Sequence, residues 1–167
     1  MFDLFATGAP VKVSWPTSED AYWLALDRNG NGRIDSGAEL FGSVTRLRSG
    51  ARAAHGYVAL RELDDNGDGQ LTAADSAFHL IVLWRRPLPD GVAPDEHRRL
   101  VDAGISAISL DVLVSPRRDR WGNRFKYRAR VTARNGQTLW SYDVFLVTAS
   151  SAPAHTPVPW NLLSLRN

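Results

Sequence analysis

Two polar segments built to one design constrain the fold of this chain more than any other feature of its sequence. The first spans residues 27–35 and the second residues 64–72. Each begins with Asp, carries Asn at its third place and Asn or Asp at its fifth, and has Gly sixth and an apolar residue eighth. Neither has helical or strand periodicity, and both are rich in residues that tolerate left-handed backbone. We therefore expect two structured loops of the same shape.

This spacing is that of a twelve-residue calcium-binding loop. Calcium takes six to eight oxygen ligands, which such a loop supplies from positions 1, 3, 5, 7, 9 and 12 around a glycine at position 6. The ligand at position 7 is a backbone carbonyl, so any residue type serves there. In the second loop the predicted ligands are Asp64, Asn66, Asp68, Gln70, Thr72 and Asp75. Asp75 is one methylene shorter than the usual Glu, which predicts a weaker site.

The first loop matches the same pattern up to position 9 and then departs from it. Its predicted ligands to that point are Asp27, Asn29, Asn31, Arg33 and Asp35. Position 12 is Ala38, whereas Glu39 follows one residue later. Gly37 tolerates an otherwise strained backbone that would absorb the extra residue. Our hypothesis is that Glu39 closes the first loop, so the chain is predicted to bind two Ca²⁺ ions.

The separation of the loops predicts that they form a pair. They start 37 residues apart, about what two helix-loop-helix units in tandem require. Thr17 and the acidic residues after it predict a helix that ends at Leu26, and residues 73–80 look helical as well. Ile34 and Leu71 both occupy position 8, where we expect them to pair the two loops through a short β-bridge.

The remaining pattern predicts an α+β fold. Runs of β-branched, aromatic or alternating residues predict strands, and these lie at 81–84, 105–114, 125–133 and 138–147. Pro94 and residues 95–103 predict a short helix between them. We expect one domain over residues 1–149, with an EF-hand pair at about 17–82 and a small antiparallel β-sheet in residues 83–149. The Pro-, Ser- and Ala-rich residues 150–167 are expected to form a tail.

A hairpin is predicted around Asn135 and Gly136. Asn-Gly is typical of a two-residue type I′ turn. Such a turn would place Arg128 opposite Asp143 and Val131 opposite Trp140. One face of the hairpin would then carry a charge pair and the other an apolar pair.

Composition excludes several classes of function. The chain has no cysteine, so thiol catalysis, disulfides and thiolate metal sites are excluded. No run approaches the roughly 20 apolar residues that a membrane-spanning helix needs. The four histidines lack metal-ligand spacing, and no nucleophile elbow, zinc-protease motif or phosphate loop occurs. The sequence predicts a calcium-binding protein that is not an enzyme and does not span a membrane.

At this point the chain resembles the EF-hand-like calcium-binding modules of bacterial secreted proteins, including those beside haemolysin-type repeat regions. The likeness rests on residues 24–35, on residues 39–42 and on the second loop with residues 73–75, and it covers roughly residues 2–148. It implies a secreted or cell-surface location. Members often carry a third loop, and its counterpart here has Arg86, Leu88 and His97 at ligand positions. We predict that this third loop is empty.

Two other binding functions stay open. A candidate polyanion-binding strand carries Arg124, Lys126, Arg128 and Arg130, which alternate with aromatic and apolar residues. Strand alternation alone also accounts for this pattern, and nucleic acid is not the expected ligand. A dockerin-like partner domain also uses loops of this kind that close with Asp. Its repeats lie closer together and have no β-region after them, which disfavours that interpretation.

Overall fold

The chain is described by a computed structural model that covers residues 1–15, 21–85, 96–149 and 158–164. Antiparallel strands are the main regular secondary structure of these residues. One α-helix, α1, spans Gly56–Arg61, and short 3₁₀ turns lie at Gly37–Glu39 and Phe78–Leu80. The strands are β1 (Lys12–Val13), β2 (Ala21–Ala25), β3 (Gln70–Thr72), β4 (Val82–Arg85), β5 (Glu96–Arg99), β6 (Ile105–Ser109), β7 (Leu113–Arg118), β8 (Arg124–Ala133), β9 (Thr138–Leu146), β10 (Thr148–Ala149) and β11 (Val158–Ser164).

Nine of the described strands form one antiparallel sheet. Their order across the sheet is β3-β6-β8-β9-β11-β2-β4-β5, and β7 lies beside β6 on the same edge of β8. The strands β1 and β10 pair separately. Residues 158–164, which were expected to belong to a tail, form β11 in the interior of the sheet, between β9 and β2.

Both faces of the sheet are covered, and each has its own core. The helix α1 covers one face, where Tyr57 and Leu60 pack with Leu24, Leu83 and strand residues of β6, β8 and β9. We call this the helix face. The other face is aromatic and includes Trp23, Trp84, Phe125, Tyr142 and Trp160, packed against the N-terminal segment and the first loop. We call this the aromatic face.

The predicted α+β fold with an EF-hand pair is wrong, because the part of the chain that the structure describes does not contain the helices that define such a pair. The described part of the predicted helix 17–26 is strand β2, and within 73–80 there is a 3₁₀ turn. The strand β2 lies inside the sheet, so its residues are buried on both faces. A strand of that kind has a continuous apolar run, which periodicity does not distinguish from a buried helix.

The predicted strands correspond to β4, to β6 with β7, to β8 and to β9. The predicted helix 95–103 is replaced, within the described residues, by β5 and a turn. Residues 86–95, which hold most of the third-loop counterpart, lie outside the described residues.

The β8–β9 hairpin is one residue out of the predicted register. Ala133 N donates to Gln137 O at 2.9 Å, and Gly136 takes a φ of 79°, so the loop has three residues where two were expected. Arg128 therefore lies opposite Tyr142, and Val131 lies opposite Leu139. Asp143 faces Tyr127 instead of an arginine.

Candidate metal centre

The first carboxylate of each predicted loop organises that loop in the same way. Asp27 Oδ1 accepts the backbone N–H of Gly30 at 2.8 Å and of Asn31 at 3.2 Å, and Oδ2 accepts that of Gly32 at 2.8 Å. Asp64 accepts the N–H groups of Gly67, Asp68 and Gly69 at 2.8, 3.2 and 3.0 Å. In both loops the backbone at positions 4, 5 and 6 therefore wraps around the carboxylate at position 1.

The side chains at positions 3 and 5 also form the same hydrogen bonds in both loops. Asn29 Oδ1 accepts the N–H of residue 31 at 2.9 Å, and Asn66 Oδ1 accepts that of residue 68 at 3.0 Å. Position 5 accepts the N–H of position 7 at 2.9 Å in the first loop and 2.8 Å in the second. The glycines at position 6, Gly32 and Gly69, have φ of 76° and 79°, which L side chains rarely adopt. The predicted loop shape is present twice.

The loops close differently. In the second loop the buried carboxylate of Asp75 accepts the N–H of Asp65 at 2.9 Å and of Thr72 at 2.8 Å. In the first loop the closing carboxylate is Glu39, which lies one position later in the loop than Asp75 does. Its Oε2 accepts the N–H of Asp35 at 2.8 Å and of Ser36 at 3.3 Å. In both loops the N–H of position 9 thus donates to the closing carboxylate. The carboxylate of Glu39 therefore closes the first loop as that of Asp75 closes the second.

Glu39 has an unusual environment for a carboxylate. It is 1% exposed, and its Oε1 atom finds no hydrogen-bond partner among the described residues. Burial raises the pKa of Glu39, and the neighbouring Asp35 carboxylate raises it further, while the N–H groups of Asp35 and Ser36 oppose both effects. A buried carboxylate with an unsatisfied oxygen is costly unless a proton or a cation compensates it.

Gly37 serves a different purpose from the one predicted. Its φ is not in the left-handed region, so the extra residue of the first loop is not absorbed by strained backbone at this point. Gly37 N instead donates to Asp3 O at 2.9 Å, and its Cα packs against the backbone of Leu4 and the ring of Trp160. The glycine is needed because the N-terminal segment passes too close for a side chain.

The predicted β-bridge between Ile34 and Leu71 is absent from the described structure. Ile34 packs on the aromatic face, whereas Leu71 packs on the helix face and pairs with Ile108 of β6. The sheet separates the two loops. The loops therefore do not form the coupled pair of an EF-hand protein.

The predicted ligand side chains differ in exposure, since Glu39 and Asp75 are buried and most of the others lie at the surface. Asp35 and the side chains at positions 3 and 5 are exposed, and Asp27 and Asp64 are partly exposed. Within the described residues no group of three His, Cys, Asp or Glu side chains is placed to hold a metal ion. Together with the missing helices, this makes the classification as an EF-hand calcium-binding protein wrong.

The four cations of the candidate polyanion-binding strand do not share a face. Arg124 lies opposite Phe145 and Arg128 opposite Tyr142, and positions 142 and 145 of β9 point to opposite sides of the sheet. The register of β8 shifts between Phe125 and Tyr127, which identifies Lys126 as the extra residue of a β-bulge. Arg124 and Lys126 lie on the helix face, and Arg128 and Arg130 lie on the aromatic face.

Arg117 and Asp143 have surroundings in the structure that the sequence did not predict. Arg117 joins Arg128 on the aromatic face, since it lies opposite Phe125. Asp143 is 0% exposed, and burial raises its pKa to about 7. The bulge at Lys126, which places Arg117 and Arg128 on the same face, has no signature in the sequence. The partner predicted for Asp143 was wrong because the predicted hairpin register was wrong.

Comparison with known proteins identifies relatives of this chain. A family model described as SPM domain matches residues 1–147. The iron-regulated protein FrpA of Neisseria meningitidis serogroup C is 37% identical over 147 residues, which are 87% of this chain and 13% of that protein. The expected membership of the EF-hand-like modules of secreted proteins is therefore wrong. None of the described helices combines the length and apolarity needed to cross a membrane.

Proposed function

The chain belongs to the SPM domain family, and we propose that each of its two loops binds one Ca²⁺ ion. Because the chain is not an EF-hand protein, the support for these ions comes from the loops alone. In this proposal the ions stabilise the fold, and the chain is a binding module without a catalytic role. The ligands are those of the sequence pattern. They are Asp27, Asn29, Asn31, Arg33, Asp35 and Glu39 in the first loop, and Asp64, Asn66, Asp68, Gln70, Thr72 and Asp75 in the second.

The free Oε1 atom of Glu39 is the observation that carries this proposal. The atom is buried at the closing position of the first loop, next to a second carboxylate, Asp35. The nearby cation Arg28 donates from Nε to Ala38 O at 2.9 Å and lies over the Phe41 ring. Within the described structure Arg28 forms no hydrogen bond with Glu39. A divalent cation bound by the loop would compensate both carboxylates.

The hydrogen bonds within the loops are compatible with a bound cation. An ionised carboxylate has about four lone-pair sites. Asp75 accepts two N–H groups, so about two of its lone-pair sites stay open to a metal ion. Each carboxylate at position 1 accepts three N–H groups and keeps about one open lone-pair site. Amide and carbonyl oxygens supply the rest of each ligand set, which explains why three carboxylates need not meet at one point.

The loops are expected to bind calcium weakly. Each loop has three carboxylates and an irregular last ligand, so we expect dissociation constants of about 10⁻⁵ to 10⁻³ M, which suit extracellular calcium. On that ground we propose a secreted or cell-surface location. The chain covers 13% of the length of its relative FrpA, so the activity of a protein that contains such a module is a separate question.

Calcium is expected to raise the melting temperature of the protein relative to EDTA. Binding to the folded form alone contributes about 2.7 kcal/mol for each site at a hundredfold excess over Kd. Calorimetric titration should give two ions bound to the wild type and one ion bound to either Asp27→Asn or Asp64→Asn. Melting curves that coincide in calcium and EDTA would contradict the proposal.

Asp3 provides a matched control for these variants. Its carboxylate accepts the N–H groups of Thr7 and Gly8 at 3.0 and 2.8 Å, so it organises a turn in a similar way, but the turn lacks the other oxygen ligands. Asp3→Asn removes the same charge as the loop variants. We expect it to leave two ions bound.

Glu39→Gln separates the role of Glu39 as a ligand from its role in the loop backbone. The glutamine oxygen still accepts the N–H groups of Asp35 and Ser36, so the protein should fold in EDTA. Loss of one anionic ligand should weaken binding at the first loop by about tenfold or more, as measured by titration of Asp64→Asn protein. Glu62→Gln, which alters a surface carboxylate beside Arg48, should leave this affinity unchanged. If both substitutions had the same effect, Glu39 would not be the ligand.

A further inference from the structure

The β-bulge at Lys126 sorts the basic residues of β7 and β8 into two sets. Arg117, Arg128 and Arg130 lie on the aromatic face, opposite Phe125, Tyr142 and Trp140 respectively. We call these three residues the arginine row. Arg124 and Lys126 lie on the helix face of the same strand. The two sets carry the same kind of charge but belong to different surfaces.

Aromatic rings hold two members of the arginine row in place. The Arg117 guanidinium carbon is 4.5 Å from the ring centre of Phe125 and 5.1 Å from that of Tyr142. The Arg128 guanidinium carbon is 4.4 Å from the ring centre of Trp140. Stacking of this kind fixes the plane of a guanidinium, and it leaves the N–H groups at its edge free to donate. Less side-chain entropy is then lost when an anion binds.

Among the described residues, no carboxylate forms an ion pair with the arginine row. The ion pairs of Arg48 with Glu62 and Asp65 lie elsewhere on the described surface. The carboxylate of Asp119 is engaged by the N–H groups of Trp121 and Asn123 and by the Asn123 side chain. Asp143 is buried on the helix face. Arg128 Nε is also buried, with no acceptor among the residues described.

We propose that the arginine row binds an acidic polysaccharide through its sulfate or carboxylate groups. Planar guanidinium groups match the paired oxygens of such anions and bind them bidentately. A row of three along adjacent strands suits a polymer with repeated charges. The rings beneath are covered by the guanidinium groups, so they cannot stack on bases, and stacking is what single-stranded nucleic acid requires.

The test is titration of the whole chain with a heparin-derived octasaccharide at physiological ionic strength. Arg117→Gln and Arg128→Gln should each weaken binding by about tenfold, because each removes a charge-assisted bidentate contact. Arg128→Lys should also weaken it, since lysine keeps the charge but loses the fixed plane. High salt should abolish binding.

The helix-face cations provide controls with an equal change of net charge. Arg124→Gln and Lys126→Gln should leave the affinity within about twofold of the wild type. Melting temperatures show whether each variant is folded. The proposal is overturned if the two sets of variants lose affinity equally, or if single-stranded DNA of matched charge binds more tightly than the octasaccharide.

Discussion

Gly37→Ala is expected to lower the free energy of unfolding by about 3 kcal/mol or more, near the upper end of the range for overpacking a closed site. A Cβ atom at this position would overlap the carbonyl oxygen of Leu4 and would lie 2.7 Å from both the Leu4 carbonyl carbon and Trp160 Cη2. Relief requires the N-terminal segment to leave the aromatic face. Urea denaturation of the two proteins measures the difference.

Two further variants define the cause of that loss. Gly50→Ala adds the same methyl group where nothing lies within 4 Å, so it carries only the strain of a φ of 83° and should cost about 1 kcal/mol. Adding Trp160→Phe to Gly37→Ala should not restore stability, because the nearest obstacle is backbone. Full recovery in the double variant would show that the ring of Trp160, and not Leu4, excludes the methyl group.

Asp143→Asn is expected to gain stability relative to the wild type as the pH rises. Burial in the folded protein raises the pKa of Asp143 from 3.8 to about 7, against the opposing effects of the Gly56 N–H and Lys126. Below pH about 4 the carboxyl is protonated in both states. Between about pH 4 and 7 only the unfolded chain releases the proton, so wild-type stability falls as the pH rises and then levels off. The full difference is on the order of 4 kcal/mol.

Denaturation of both proteins at several pH values between about 4 and 8 measures this effect. The asparagine oxygen can still accept the Gly56 N–H that Asp143 Oδ1 accepts at 2.9 Å. The nearby His55 also titrates, with a pKa lowered by burial and by Arg61 and Lys126, and subtracting the two curves removes its contribution. Asp111→Asn, at an exposed carboxylate, should show no such trend. A constant difference between wild type and Asp143→Asn would refute the prediction.

The loops could be predicted from the sequence because their shape is set within each loop. The carboxylate of Asp27 or Asp64 and the glycines at positions 4 and 6 determine the backbone through contacts at most five residues apart. The hydrogen bonds of Glu39 with Asp35 and Ser36 are equally local, whereas its role as a calcium ligand stays a prediction. Local chemistry of this kind survives a wrong assignment of the surrounding fold.

The helices and the hairpin register depended on tertiary structure that the sequence does not display. The apolar run in β2 reflects burial on two faces, and that information lies in β4 and β11, far along the chain. The Asn-Gly turn was located correctly, but Gly136 ends a three-residue loop and shifts each partner of β8 by one. A second shift at Lys126 then divided the basic strand. No residue type in the sequence predicts either register shift.

The position of β11 has a consequence for the order in which the fold can assemble. Strands β3, β6, β7, β8 and β9 form one hydrogen-bonded group and β2, β4 and β5 another, and in the described sheet β11 pairs with both. A nascent chain that has emerged only to residue 149 therefore has two partial sheets with exposed edges and lacks the strand that pairs with both. Completion of the native sheet must wait until residues 158–164 leave the ribosome, and until then those edges are open to wrong partners.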